Sequence, residues 1–353
     1  MPRLFRPLQR AGAGALSPNP PSLSVALPAF NSELFIAETI ESVLGQDFGD
    51  FEFLVLNDGS TDRTLEIAAS YAARDSRIRV ISRENRGLPA SLDELLRAAR
   101  APIIARIDAD DVCEPSRFSK QLVFLETHAD YGIVGSQVHE IDSQGRRVTG
   151  SRVPCTHEEI LTALPRYCPF YHPAVMMRRD LVIAVGGYRA LFRYAEDYDL
   201  WLRLSEVTRM ANLPDALLTY RLHPEQSTRR NMIGHARYAA VAWLAHAERA
   251  AGRPDPTEQL ATFPRDEDVE VLFGAGALAY LRRRVFNDVL SSRAVRIGDA
   301  WPTALECASG IRDHLQLVWI GLRHVRADRP SMALKILVAL LRRLTSRVRL
   351  RPT

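Results

Sequence analysis

The densest run of reactive side chains is Asp108-Ala109-Asp110-Asp111, with three carboxylates directly after the apolar stretch Pro102 to Ile107. Carboxylates this close repel one another unless a cation is present, and hard oxygen ligands in that number suit Mg²⁺ or Mn²⁺. Magnesium binds through one or two carboxylates plus substrate phosphates and keeps several waters, so such a turn can join protein to a diphosphate. The plainer reading is a solvated acidic turn capping a helix that starts near Pro115. Asn57-Asp58-Gly59-Ser60-Thr61-Asp62 follows the apolar stretch Phe51 to Leu56. There Gly59 permits a tight turn, Asp62 or Thr61 can cap the next helix, and Asp58 can accept a hydrogen bond from a base imide N–H. A simple strand-to-helix turn is the alternative. Pro28-Ala29-Phe30-Asn31 follows Leu23 to Leu27, and Phe30 can stack on a base or pack in the core.

A second acidic group, Glu196, Asp197 and Asp199, lies near the start of the amphipathic segment Asp197 to Val207. A helix N-terminus stabilises negative charge, so these carboxylates suit either proton transfer or ordinary capping. On the same segment Leu200 and Trp201 read as core residues, with Trp201 also a candidate wall for an acceptor. His172 and His223 each precede a proline. A hydrogen-bonded structural histidine is the ordinary reading of either. Against it, His172 can shape an acceptor pocket. His223 can reach a diphosphate or metal on a segment that also carries Arg221, Ser227, Arg229 and Arg230, since Arg and Ser donors suit phosphate oxygens. Gly274-Ala275-Gly276 has no strand before it and reads as small-residue helix packing. Cys113, Cys155, Cys168 and Cys307 form no CxxC pair and read as free thiols of a reducing compartment.

Taken in order, these segments resemble the family 2 glycosyltransferases of GT-A fold, bacterial cell-surface polysaccharide type. The resemblance rests on SVALPAFN (Ser24 to Asn31), SVLGQDFGDFEFLVLNDGSTDRT (Ser42 to Thr64), ENRGL (Glu84 to Leu88) and IARIDADDVCEPSRFSKQLVFLE (Ile104 to Glu126). It continues through HPAVMMRRD (His172 to Asp180), GGYR (Gly186 to Arg189), AEDYDLWLRL (Ala195 to Leu204) and YRLHPEQST (Tyr220 to Thr228), covering about residues 22 to 230. It implies that Pro28 to Asn31, including Phe30, and Asp58 line the nucleoside pocket, with Arg83 and Asn85 to Gly87 near the nucleotide. It implies that DADD is the DxD motif, with Asp110 on the metal and Asp108 facing donor sugar or ribose. Glu196-Asp197 corresponds to the ED pair, in which Asp197 is the expected base and Glu196 its competitor. Asn57 replaces the more common Asp, and Asp93 stands where an Asn is frequent. The implied activity is inverting transfer of a sugar from a nucleotide diphosphate sugar to a hydroxyl of a saccharide or lipid-linked acceptor, with Mg²⁺ or Mn²⁺. A nucleotidyltransferase would lack the ED pair and would carry a Gly-rich basic loop after the first strand. Asp110 and Asp197 argue against a non-catalytic sugar-nucleotide-binding subunit.

Positioning these residues requires strands over Leu23–Leu27, Phe51–Leu56, Ile78–Ser82 and Pro102–Ile107. Helices are expected from Ser32 (a candidate N-cap) to Leu44, and over Thr64–Arg74, Leu88–Ala99 and Pro115–Thr127. That alternation predicts an α/β fold with a mostly parallel central sheet flanked by helices, ligands gathering at the carboxyl ends of the strands. Gly132 to Asp142 reads as an edge strand pair. Residues 1–21 read as a disordered basic tail, 22–230 as the catalytic domain and 231–353 as a helical C-terminal region, with a turn-rich linker at 252–266. The net charge of +4 sits partly in the two basic ends, but no nucleic-acid recognition motif accompanies it. No stretch approaches the ~20 apolar residues of a membrane span. The expectation is a cytoplasmic protein, in which a basic amphipathic helix over Met332 to Leu350 either lies at an anionic membrane surface, making the protein peripheral there, or packs on its own domain with a frayed basic tail.

Overall fold

Val, Leu and Phe dominate the first two strands, and every residue of β1 (Leu23–Ala29) and β2 (Phe51–Asp58) is buried. Burial on both faces is what a parallel sheet covered by helices demands. The computed structural model describes residues 20–148, 150, 152–223, 231–291, 301–309, 312–317 and 319. In it β3 (Ile78–Arg83), β2, β1 and β4 (Ile103–Arg106) run parallel, in that order. The intervening helices are α1 (Ile36–Leu44), α2 (Thr64–Ala72) and α3 (Leu88–Ala98). Ile36, Ile40 and Val43 form the buried stripe of α1.

Beyond β4 the sheet changes character. β5 (Val112–Cys113) precedes α4 (Arg117–Thr127). β6 (Tyr131–Asp142), α5 (His157–Ala163), β7 (Met176–Arg178), α6 (Arg179–Ala184), α7 (Glu196–Leu204) and β8 (Arg209–Leu222) follow. β7 is antiparallel to both β4 and β6, β8 is parallel to β6, and β5 closes the far edge antiparallel to β8. The sheet is therefore mixed, with its parallel half at β3-β2-β1-β4. β6 is an interior strand between β7 and β8, which corrects the edge reading. Ser32 is not a side-chain cap: its backbone oxygen accepts from Phe35 and Ile36, while its hydroxyl turns back to the Phe30 carbonyl. Asp62 does serve α2, accepting from the Thr64 N–H at 3.0 Å and the Thr64 hydroxyl at 2.6 Å.

Arg117, fully buried in the catalytic core, is paired throughout. It donates to the carbonyls of Arg106 (2.7 Å) and Val175 (3.2 Å), to Gln121 (3.1 Å) and to the Cys113 sulfur (3.2 Å). The carbonyl bond to Arg106 ties α4 to the end of β4, directly before the acidic run.

The chain divides into two units, 1–223 and 224–353. In the second, α8 (Met232–Ala250), α9 (Asp266–Phe273), α10 (Ala277–Ser291) and α11 (Trp301–Cys307) are helical. Gly274 and Gly276 have φ of 86° and 88°, so they form the turn between α9 and α10 and are not residues packed within a helix. Among the described residues no helix is long and apolar enough to cross a membrane. The expected basic helix at Met332–Leu350 and the residues Ser227, Arg229 and Arg230 lie outside the described residues, as do residues 1–19 of the expected tail.

Candidate active site

The carboxyl ends of β1, β2 and β4 meet on one side of the sheet, as their parallel pairing dictates. At the end of β1, Asn31 has a left-handed φ of 48°. Its side-chain oxygen accepts from the Thr61 N–H at 2.9 Å, and its own N–H donates to the Ser60 hydroxyl at 3.0 Å. Asn31 thus joins the β1 turn to the β2 turn. Phe30 beside it is half exposed and free to meet a flat ligand. Gly59 is required twice over: its φ is 73°, and a Cβ there would lie 2.6 Å from the Asn85 nitrogen.

That close approach brings in the loop after β3. Asp58 accepts from the N–H groups of Arg86 (2.8 Å) and Gly87 (2.9 Å) and forms an ion pair with Arg83. Arg83 also pairs with Glu94 at 2.6 Å, and the Asn85 amide donates to the Asp58 carbonyl at 2.9 Å. Asp58 therefore organises the 83–87 loop with both carboxylate oxygens. Pro28, Phe30, Asn31, Asp58, Arg83, Asn85 and Gly87 are brought together, but through one another.

At the end of β4, one oxygen from each of Asp108, Asp110 and Asp111 falls within 4.8 Å of the others. Asp111 is fully buried. One of its oxygens accepts from the Arg221 N–H at 2.9 Å, and the other has no hydrogen-bond partner among the described residues. Burial, then the adjacent Asp110 and Asp108, drives the Asp111 pKa well above the usual carboxylate range. Asp108 is pushed up to about 6 by burial and by Asp110, against the opposing pull of Arg106. Three crowded carboxylates, one of them with an orphaned buried oxygen, are a donor set that fits a divalent cation. β8 brings Arg221 and His223 to the same place. The Arg221 guanidinium donates to the Asp110 carbonyl (3.0 Å), pairs with Glu38 of α1 (2.7 Å) and lies 4.7 Å from the Phe35 ring centroid. His223 Nε2 lies 2.7 Å from an Asp110 oxygen.

α7 supplies the other half. Asp197 is part-exposed; the Tyr198 N–H donates to one of its oxygens at 2.7 Å, and the Cys168 thiol lies 3.6 Å from the other. Burial pushes the Cys168 thiol well up, so it stays protonated as a donor. Glu196 is buried, and burial followed by the charge of Asp197 raises its pKa well above the ordinary value. Asp199 is wholly buried between Arg189 and Arg203, and Arg203 also donates to the Gly187 carbonyl at 2.8 Å. It anchors the helix to the GGYR turn.

Trp201 is fully buried, its ring 5.4 Å from Phe170 and 5.6 Å from His172, so it backs α7 and forms no acceptor wall. The candidate pocket role of His172 also gives way. Its ring is buried, Nε2 lies 2.9 Å from the Tyr188 hydroxyl, and burial followed by Arg106 lowers its pKa well below the usual value. A separate cavity of about 300 Å³ opens beside β6 and β8, lined by Gln137, Glu140, Arg147 and Ala216 among others.

The sequence reading missed Arg106, Cys168, Tyr188 and Glu38. Arg106 carried a usable signal: it is a charge inside an otherwise apolar strand, two residues before Asp108 and hence on the same side of the chain. Cys168 and Glu38 had none, since only tertiary packing brings them to the site.

The match to known proteins follows the same segments. The family model described as glycosyl transferase family 2 matches residues 24–197. The glycosyltransferase EpsE of Bacillus subtilis is 40% identical over 217 residues, spanning 60% of this chain and 77% of that protein. The O-antigen biosynthesis glycosyltransferase WbnJ of Escherichia coli is 32% identical, spanning 60% and 84%. The amylovoran biosynthesis glycosyltransferase AmsE of Erwinia amylovora is 31% identical, spanning 59% and 79%. Among solved structures, TarS of S. aureus in complex with UDP-GlcNAc superposes with a TM-score of 0.55 at 18% identity, covering 91% of this chain and 92% of that one. The mannosyltransferase PcManGT of Pyrobaculum calidifontis, in complex with GDP-Man and Mn²⁺, gives 0.52 at 17% identity, covering 93% and 88%. At those identities the likeness is one of fold, and the fold is GT-A.

Proposed function

This chain belongs to glycosyl transferase family 2, and from that premise we propose that it is a metal-dependent, inverting enzyme of cell-surface polysaccharide synthesis. The donor is a nucleotide diphosphate sugar, and the acceptor is a saccharide or lipid-linked hydroxyl. The observation that carries the reading is the pairing of two acidic groups with opposite environments. One is a three-carboxylate cluster with an oxygen of each residue within 4.8 Å of the others. The other is an ED pair in which one carboxyl is buried and the other part-exposed.

The division of labour follows from that contrast. Glu196 is buried, and burial followed by the charge of its neighbour disfavours its charged form, so it is the less available of the two carboxylates. Asp197 takes the acceptor proton, with one oxygen fixed by the Tyr198 N–H and the other beside the Cys168 thiol. Asp110 would hold Mg²⁺ or Mn²⁺, assisted by the cluster around it and by His223. A divalent cation there supplies neutralisation of the charge that develops on the departing diphosphate. Phe30 stacks on the base, and Asp58 fixes the 83–87 loop that borders the nucleotide. Surface polysaccharide synthesis is supported by the names of WbnJ and AmsE, and a nucleotide-sugar donor by the ligands of TarS and PcManGT.

A thermal-shift screen against UDP, GDP, dTDP and CMP, with and without Mn²⁺, identifies the nucleotide through stabilisation by mass action. Turnover on a panel of the matching nucleotide sugars then tests transfer. No stabilisation by any nucleoside diphosphate in the presence of metal would remove the donor site from this account.

A further inference from the structure

The geometry points to Arg106 as a positioning residue that fixes the Asp108 carboxylate for the donor. This rests on the donor-site reading of Asp108 given above. Arg106 stands at the end of β4, and only 3% of its side chain is exposed. Its guanidinium takes both oxygens of Asp108: one terminal nitrogen donates to Oδ2 at 2.6 Å and the other pairs with Oδ1. A planar fork on a planar carboxylate fixes the plane as well as the distance, which a point charge cannot do. Asp108 follows two residues later, just past the end of β4, and its carboxylate is held by that fork.

The Arg106 Nε has no hydrogen-bond partner among the described residues. A residue kept only for packing would not be left with a buried donor unsatisfied beside a fully engaged fork. The arrangement serves the carboxylate, at the cost of that nitrogen.

The test is a double-mutant cycle in the full chain: Arg106→Gln, Asp108→Asn and the pair together, with Arg106→Lys as a fourth protein. Three quantities are measured: calorimetric affinity for the stabilising nucleoside diphosphate with Mn²⁺, and donor KM and acceptor KM in turnover. Loss of the outer partner that orients a metal ligand typically costs about 10–100-fold, and the same scale is expected for a partner that orients a donor-facing carboxylate. Arg106→Gln should therefore raise donor KM by about that range and leave acceptor KM unchanged. Arg106→Lys, which keeps the charge and loses the fork, should fail to restore it. The double variant should be no worse than Asp108→Asn alone, because the clamp has nothing left to hold. Should Arg106→Gln not fold, the double variant, which removes both charges, and Arg106→Lys still read the clamp. Full rescue by Lys, or additive losses in the pair, would overturn the proposal. If Asp108→Asn itself binds nucleotide and donor normally, the donor reading of Asp108 fails and this inference goes with it. If Asp108→Asn is impaired and Arg106→Lys is not, only the inference fails.

Discussion

Two neighbouring carboxyls, Glu196 and Asp197, face different physics although one peptide bond separates them. They point about 100° apart around the helix, and one is buried while the other is part-exposed. Asp197→Asn should lower kcat by about 10²–10⁴-fold, the usual worth of general-base assistance, with donor affinity preserved. Glu196→Gln should do far less, because an uncharged amide suits a buried position that disfavours the charged form. Rates at saturating donor and metal decide this, and a collapse in Glu196→Gln alone would move the base to that residue. On the donor side, Asp110→Asn should abolish the Mn²⁺-dependent part of nucleoside diphosphate binding while the melting curve keeps its shape. Calorimetry with and without chelator checks it, and equal affinity in both conditions would argue against Asp110 as the metal residue. His223, 2.7 Å from Asp110, should show the same loss in weaker form as His223→Ala.

Helices and turns hold these side chains by buried polar contacts as much as by apolar packing. Asp199 has no exposed surface and pairs with Arg189 and Arg203. Asp199→Asn would leave two guanidinium groups under-compensated, and breaking a buried pair this way costs about 3–5 kcal/mol. Urea unfolding of the variant measures it, and a loss below about 1 kcal/mol would mean the network carries little. Gly59→Ala should cost more than about 1 kcal/mol, because the backbone is left-handed and the new methyl meets Asn85. Which elements exist was readable in advance. Apolar runs such as Leu23–Leu27 and Phe51–Leu56 can only be strands buried on both faces, and the acidic turns after them had to lie at their carboxyl ends. The second half of the sheet was not readable, because a long connection containing α5 separates β6 from β7 and their pairing is a tertiary fact. The engagement of Asp58 by the 83–87 loop was hidden for the same reason. A carboxylate at a strand end looks the same in sequence whether it faces a ligand or a backbone. Ser32 failed as a cap because the turn at 33–35 lets its backbone carbonyl, and not its hydroxyl, start α1.

The molecule as a whole concentrates acid in one place, and this has a consequence for stability that needs no substrate to observe. Burial and Asp110 push Asp108 up to about 6 from its ordinary 3.8, against Arg106, and burial with neighbouring carboxylates also raises Asp111 and Glu196. A carboxyl with a raised folded pKa holds its proton longer in the native state than in the unfolded one. Native protein then binds more protons over that interval, so its stability falls as pH rises from the ordinary value through the folded one. His172, held neutral by burial, acts in the opposite sense below its ordinary value, and the raw pH dependence of melting mixes the two. Comparing wild type with Asp108→Asn separates them, since both contain His172. Between pH 4 and pH 6.5 the wild type should lose melting temperature relative to the variant, and the difference should level off above that range. Adding Mn²⁺ should restore the wild type most at the upper end, where the carboxylates are charged and no proton has to leave, and should do little at pH 4.5. Differential scanning fluorimetry across that range, with EDTA or Mn²⁺, reads all four arms. A melting difference between the two proteins that does not vary with pH would mean that Asp108 titrates as an ordinary surface carboxylate, and that the acidic cluster is not the strained site the fold makes of it.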